Sequence, residues 1–352
     1  MHQSFHQGVL LSRMRRAALS MLLIATMACH AHAEWDAGLT ARQRGDFAAA
    51  YREIRMEAEA GAADAQEALG QMLIHGQGTA KDEAGGTDWL HRAAENGSVP
   101  GMVAFGTAAL RGLGMPRNET LGIQWLTRAA NGANQTAMLS LGDCYEQGTG
   151  VPRNILAAHQ WFLRAAQAGN PDGMLRLASL LLSPTLGAND DAAGVQWLTR
   201  AAESGQTQAQ TELAKILATG SHGVAQNEAG AIEWAQKAAF RGRDAAGLLC
   251  RLHFKGVKGR ESDPALAFRW CTTAAESGAA GAMLSLARLY LDGRGTARDP
   301  ATGLMWASLA AARGGESTTP EAVRLRDLAT AQLSEPERQS VRARIEAWRP
   351  LP

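Results

Sequence analysis

Three cysteines beyond the N-terminal segment, Cys144, Cys250 and Cys271, and five histidines, His75, His91, His159, His222 and His253, are the side chains best suited to redox, metal or nucleophilic chemistry. Their spacing argues against most of it. No two histidines stand at metal-ligand spacing, so no metal site is expected. No serine is followed three residues later by lysine, and neither G-x-S-x-G nor H-E-x-x-H occurs, which leaves no nucleophile beside a base. Glycine turns such as GQGTAKD from Gly76 or GTGVPRN from Gly148 look like phosphate loops only on the surface. No strand precedes them and no Gly-Lys-Ser/Thr follows, so no nucleotide or other cofactor is expected. The expectation is a protein that is not an enzyme.

The N-terminus carries Arg13, Arg15 and Arg16, an apolar run from Ala17 to Ala28, and Ala31-His32-Ala33 before Glu34. This reads as a secretory signal peptide, residues 1–33, cut after Ala33. The run of 12 residues is too short to span a bilayer and nothing comparable follows, so the mature chain is expected to be soluble. A periplasmic location is the expectation. Secretion, or lipid attachment at Cys29, are the alternatives, although Thr26-Met27-Ala28 is a poor lipid-attachment signal because it does not begin with Leu.

Cleavage removes three arginines and no acid, so 35 basic and 34 acidic residues become a mature charge of −2. With only five lysines, the chain shows no electrostatic footprint for nucleic acid or an anionic membrane. Three thiols in an oxidising compartment imply one pair and one leftover.

The elements that must position these side chains come from a period. Trp89, Trp125, Trp161, Trp197, Trp234, Trp270 and Trp306 are separated by 36 or 37 residues, the mark of a repeat array. GIQWLTRAA from Gly122 is nearly rewritten as GVQWLTRAA from Gly194, two units on. Seven positions before each Trp stands Asp82, Asn118, Asn154, Asp190, Asn227, Asp263 or Asp299, side chains suited to cap a helix N-terminus. Two alanines follow each Trp by four and five positions, and then a glycine suited to end the helix: Gly97, Gly132, Gly169, Gly205, Gly242, Gly278 or Gly314. A second helix, as in MLSLGDCYEQG from Met138, precedes each glycine turn. The unit is therefore helix, turn, helix, with each Trp expected in the repeating core.

Cys250 and Cys271 lie symmetrically about the turn near Arg260, on two antiparallel helices. They face each other as a disulfide or stand as two buried thiols; in the first case Cys144 is the free one.

The pattern LG..Y..G.GV..D...A..W...AA..G, clear in LGDCYEQGTGVPRNILAAHQWFLRAAQAG (Leu141 to Gly169) and in LARLYLDGRGTARDPATGLMWASLAAARG (Leu286 to Gly314), resembles the Sel1-like repeat, a relative of the tetratricopeptide repeat. The resemblance implies an all-α fold, a right-handed α/α superhelix (solenoid) of helix-turn-helix repeats. Units are expected at 62–97, 98–132, 133–169, 170–205, 206–242, 243–278 and 279–314, after a tetratricopeptide-like capping hairpin at 34–61 and before capping helices at 315–352. The fourth unit, with LLLSPTLGAND in place of a G.G turn, should have a differently shaped loop. In the sixth, Cys250 takes the small position and His253 the Tyr position.

In solenoids of this kind the first helices line a concave groove. Carried over unit by unit, that geometry implies Asp64, Glu67 and Gln71 in the first repeat, Thr136, Asp143 and Glu146 in the third, and Asp172 and Ser179 in the fourth. Lys215 follows in the fifth, Arg251 and Phe254 in the sixth, and Arg288 and Leu291 in the seventh. The early groove reads as acidic and the later one as basic, an order that would orient a protein or peptide partner. The function implied is a non-enzymatic adaptor. A cell-wall or β-lactam-directed hydrolase or binding protein, and a carrier of peptidoglycan fragments or other small ligands, are the rivals.

Overall fold

The computed structural model describes residues 37–184, 190–241, 245–256, 261–315 and 318–351. The leader and Cys29, the unusual loop at 185–189, Gly242 and the turn around Arg260 lie outside the described residues. Eighteen helices are present and no strand occurs among the described residues. The chain divides into two compact units, Met1–Ala168 and Gly169–Pro352.

The first unit begins with α1 (37–43), a turn at Gly45 and Asp46, and α2 (Phe47–Glu59). Three hairpins follow: α3 (Ala63–His75) with α4 (Glu83–Glu95), α5 (Val99–Arg111) with α6 (Glu119–Asn131), and α7 (Gln135–Gln147) with α8 (Ile155–Gln167). Each helix packs most extensively on its hairpin partner and then on the next hairpin, and α3 also touches α5. The second unit continues the scheme with α9 (Pro171–Leu182) and α10 (Asp191–Glu203), α11 (Thr207–Thr219) and α12 (Glu228–Arg241), α13 (Ala246–Lys255) and α14 (Pro264–Glu276), and α15 (Ala280–Asp292) and α16 (Pro300–Arg313). It closes with α17 (Thr319–Thr330) and α18 (Glu335–Ala347). Each unit is thus a consecutive stack of helix pairs, the arrangement of a solenoid.

The seven Asx residues before the tryptophans all cap their helices. Each side-chain oxygen accepts a backbone N–H three residues on, at 2.9–3.0 Å, from Asp82 through Asn227 to Asp299. A first-turn donor that would otherwise lack a partner is satisfied in each unit.

The closing glycines behave less uniformly. Gly97, Gly169, Gly205 and Gly278 have positive φ, but Gly132 (φ −79°) and Gly314 (φ −75°) do not. In the second repeat the helix ends at the same offset from its Trp, but the glycine stands one residue earlier, at the cap, and Ala133 takes the left-handed conformation at φ 63°.

The tryptophans correct a second expectation. Six of the seven are only half-buried; Trp306 alone is buried. The residue after each Trp is the true core position: Leu90, Leu126, Phe162, Leu198, Ala235, Cys271 and Ala307 are all at most 2 % exposed. At five of the six half-buried tryptophans a cation stands one helical turn ahead. Arg92, Arg128, Arg164, Arg200 and Lys237 lie over the rings of Trp89, Trp125, Trp161, Trp197 and Trp234 at 3.9–5.3 Å. Residues three apart share a helix face, so the cation can lie over the indole while its charged head stays in water, which keeps the ring at the boundary between core and solvent.

The glycine turns join successive hairpins. A Cβ on Gly114 would lie 2.0 Å from the Glu83 carbonyl oxygen, and one on Gly78 equally close to that of Phe47. The turn of one hairpin therefore rests on the first residue of the preceding hairpin's second helix, at a distance only glycine allows.

Candidate functional site

Among the first helices of the first unit lies an open-sided cavity of about 540 Å³. Helix α3 lines it with Glu67, Gln71, Ile74 and His75. Helix α5 contributes Pro100, Val103, Ala104, Thr107, Ala108 and Arg111, and α7 contributes Thr136 beside its cap Asn134. Leu90 of α4 and Leu113 of the α5–α6 turn complete the floor. The lining follows from helical spacing: Glu67, Gln71 and His75 fall on successive turns of one face, as do Val103, Thr107 and Arg111. Thr107 turns its hydroxyl back onto the Val103 carbonyl at 2.8 Å, so its methyl joins the apolar wall.

The rim is polar and of mixed sign. Burial pushes the Glu67 carboxyl above the usual carboxylate range, while the hydrogen bond from Gln71 and the nearby Arg42 act in the opposite sense. Arg111 is exposed at the C-terminal end of α5 and forms no ion pair among the described residues. His75 ends the parallel helix α3. Arg111 adds a cation to this end of the cavity, beside the acidic residues expected in the early groove.

The expected groove residues are only partly brought together. Glu67, Gln71 and Thr136 line the cavity. Asp64 stands beside it, exposed, and accepts from the Ser98 hydroxyl at 3.2 Å. Asp143 and Glu146, half-buried on α7, stand outside the lining.

In the second unit, Asp172 accepts from Gln206 at 3.3 Å, Ser179 donates to the Leu175 carbonyl at 2.9 Å, and Lys215 pairs with Glu212 at 2.8 Å. Arg251 is exposed, and Phe254 is half-buried with Arg294 5.9 Å from its ring centre. Arg288 pairs with Glu321 of α17. Leu291 is not a groove residue. It is 5 % exposed and packs against Gly303 of α16, because the last turn of α15 points into the hairpin.

Sequence reasoning assigned nothing on α5, which contributes most to the cavity. VPGMVAFGTAAL is nearly all apolar, so no charge marked its groove face. The Val103, Thr107, Arg111 spacing was the available signal.

Cys250 and Cys271 form a disulfide joining α13 to α14, and Cys144 is free and buried. The disulfide occupies the slot that Gly106 and Leu126, or Gly142 and Phe162, fill in other hairpins: the small position of the first helix against the residue after Trp. Burial, with Asp143 and Glu119 nearby, pushes the Cys144 thiol up to about 11. Among the described residues no group of three or more His, Cys, Asp or Glu could hold a metal, and no helix is long and apolar enough to cross a membrane.

Stacked helical hairpins with a groove on their first helices define a helical-repeat scaffold. Seven stretches, 63–98, 102–134, 135–170, 171–206, 207–242, 243–278 and 280–315, match the Sel1 repeat, and the chain belongs to the Sel1 repeat family. Among solved structures it is similar to a Sel1 repeat protein from Oxalobacter formigenes, at 26 % identity and a TM-score of 0.62, over 85 % of this chain and 90 % of that one. It is also similar to a protective antigen of uropathogenic Escherichia coli, at 25 % identity and a TM-score of 0.54, over 90 % of this chain and 76 % of that one. No curated protein matches the chain.

Proposed function

We propose that the protein is an exported, non-enzymatic adaptor that holds a segment of another protein against α3, α5 and α7. The observation that carries this reading is the cavity: its apolar floor and polar rim lie on three successive first helices, and its volume of about 540 Å³ takes one or two side chains of a bound segment. The Cys250–Cys271 disulfide supports an oxidising compartment, which agrees with the leader in residues 1–33 and with a periplasmic location.

The test is a crosslinking capture from the native envelope fraction, run beside Ala104→Arg, which places a long side chain in the cavity without removing a core group. Proteins captured by the native chain and lost from the folded variant support the adaptor. Capture that is identical for both refutes binding in this cavity. The volume also lies within the range of small-molecule sites. Thermal stabilisation by muropeptides, with no protein captured, would favour the carrier instead.

A further inference from the structure

The two ends of the cavity differ in charge. Glu67 lies in the first half of α3, whereas Arg111 and His75 are the last residues of α5 and α3, which run parallel. Eight residues separate Glu67 from His75, an axial rise of about 12 Å. Val103 and Ala104 line the cavity toward the Glu67 end, one repeat length on from it, and Ile74 and Leu113 line it beside His75 and Arg111. An extended chain covers about 12 Å in three to four residues, with alternate side chains on one face.

We infer that this cavity selects an extended peptide segment that sets a basic side chain at Glu67, an apolar side chain on the Val103–Leu113 wall, and a carboxylate at Arg111. The inference rests on the adaptor reading and adds the chemistry of the segment. Charge complementarity carries it. Glu67 is a partly desolvated carboxyl that accepts from the Gln71 amide, with Arg42 and the like-charged Asp64 near it, and Arg111 is a cation with no ion pair among the described residues. An incoming cation would meet an opposite charge at a carboxyl already partly out of water, and an incoming anion would meet Arg111 at the exposed rim, so the order of charges along the segment is read. A segment with like charges at both ends would place one of them against its own sign.

The probes are capped peptides of sequence Lys-Ala-Leu-Ala-Glu, Glu-Ala-Leu-Ala-Glu, Lys-Ala-Leu-Ala-Lys and Lys-Ala-Gly-Ala-Glu, fluorescently labelled and titrated into the full chain. The first should bind at least tenfold more tightly than the other three. Glu67→Lys should shift the preference to the peptide with two Glu, and Arg111→Glu to the one with two Lys. Glu67→Gln, which keeps shape, should lower the affinity of the first peptide without inverting the order. Circular dichroism and thermal unfolding confirm that each variant is folded. Equal binding of all four peptides, or no binding of any, overturns the inference. The two readings fail separately: a captured envelope protein that Ala104→Arg loses and Arg111→Glu retains keeps the adaptor and removes this selectivity.

Discussion

Gly70 of α3 and Gly86 of α4 face each other so closely that a Cβ on Gly70 would lie 2.8 Å from the Gly86 carbonyl oxygen, and one on Gly86 2.7 Å from that of Gly70. Backbone meets backbone, so no rotamer change can make room. Gly86→Ala should therefore destabilise the first hairpin by about 1–2 kcal/mol, because the overpacking cost of ~1–3 kcal/mol exceeds the ~1 kcal/mol gain in helix propensity. Hydrogen exchange of the α3 and α4 amides is the measurement, since repeat arrays need not unfold as one unit. Unchanged or slower exchange would contradict the contact.

The core position is the residue after each Trp, and the third repeat tests it. Phe162→Ala should cost about 3–5 kcal/mol, the range for a buried aromatic. Trp161→Ala should cost less, below about 3 kcal/mol, because its ring is half-buried beneath Arg164. Denaturant titrations of the two variants decide it; the reverse order would restore the tryptophan to the core.

Ala133 and His222 are the non-glycine residues with positive φ among the described residues, at 63° and 54°. Ala133→Gly should stabilise the first unit by about 0.5–1 kcal/mol, because relief of left-handed strain outweighs the added freedom of the unfolded chain. His222→Gly should bring no such gain. Its imidazole bonds Asp191, the first residue of α10, at 2.9 Å, and that link would be lost. Melting temperatures of the two variants should therefore move apart.

Breaking the Cys250–Cys271 bond by Cys271→Ser should cost about 2–4 kcal/mol and speed exchange in α13 and α14. Cys144 should resist alkylation at pH 8 in the native chain and react once the chain is unfolded without reductant. Its thiol ionises near 9 when free and at about 11 when folded, so its contribution to stability is complete below 9 and is lost as pH rises through about 11. Equal alkylation of native and unfolded chains would place this thiol on the surface.

The repeating frame was legible without coordinates because its signals are local. An Asx seven residues before Trp must cap, since the donor it satisfies is three residues away. Cys250 and Cys271 could be set opposite each other from the symmetry of one turn, but whether they bonded depended on how closely two helices approach. The core position was missed by one residue. Trp is the bulkiest apolar side chain in each unit, and nothing local reveals that an arginine one turn later covers it at the surface.

By itself, the sequence determined that this chain is a stack of helical hairpins with capped second helices, seven of them in one register. Period, caps and turn glycines each act within a few residues. Only the tertiary structure decided which surface became a site. The cavity is assembled from three first helices some 36 residues apart in sequence, and its central wall comes from α5, whose apolar residues look the same whether they face a core or a groove. The direction of a side chain relative to its neighbours is set by the rotation of each hairpin on the last, a quantity that no single segment encodes.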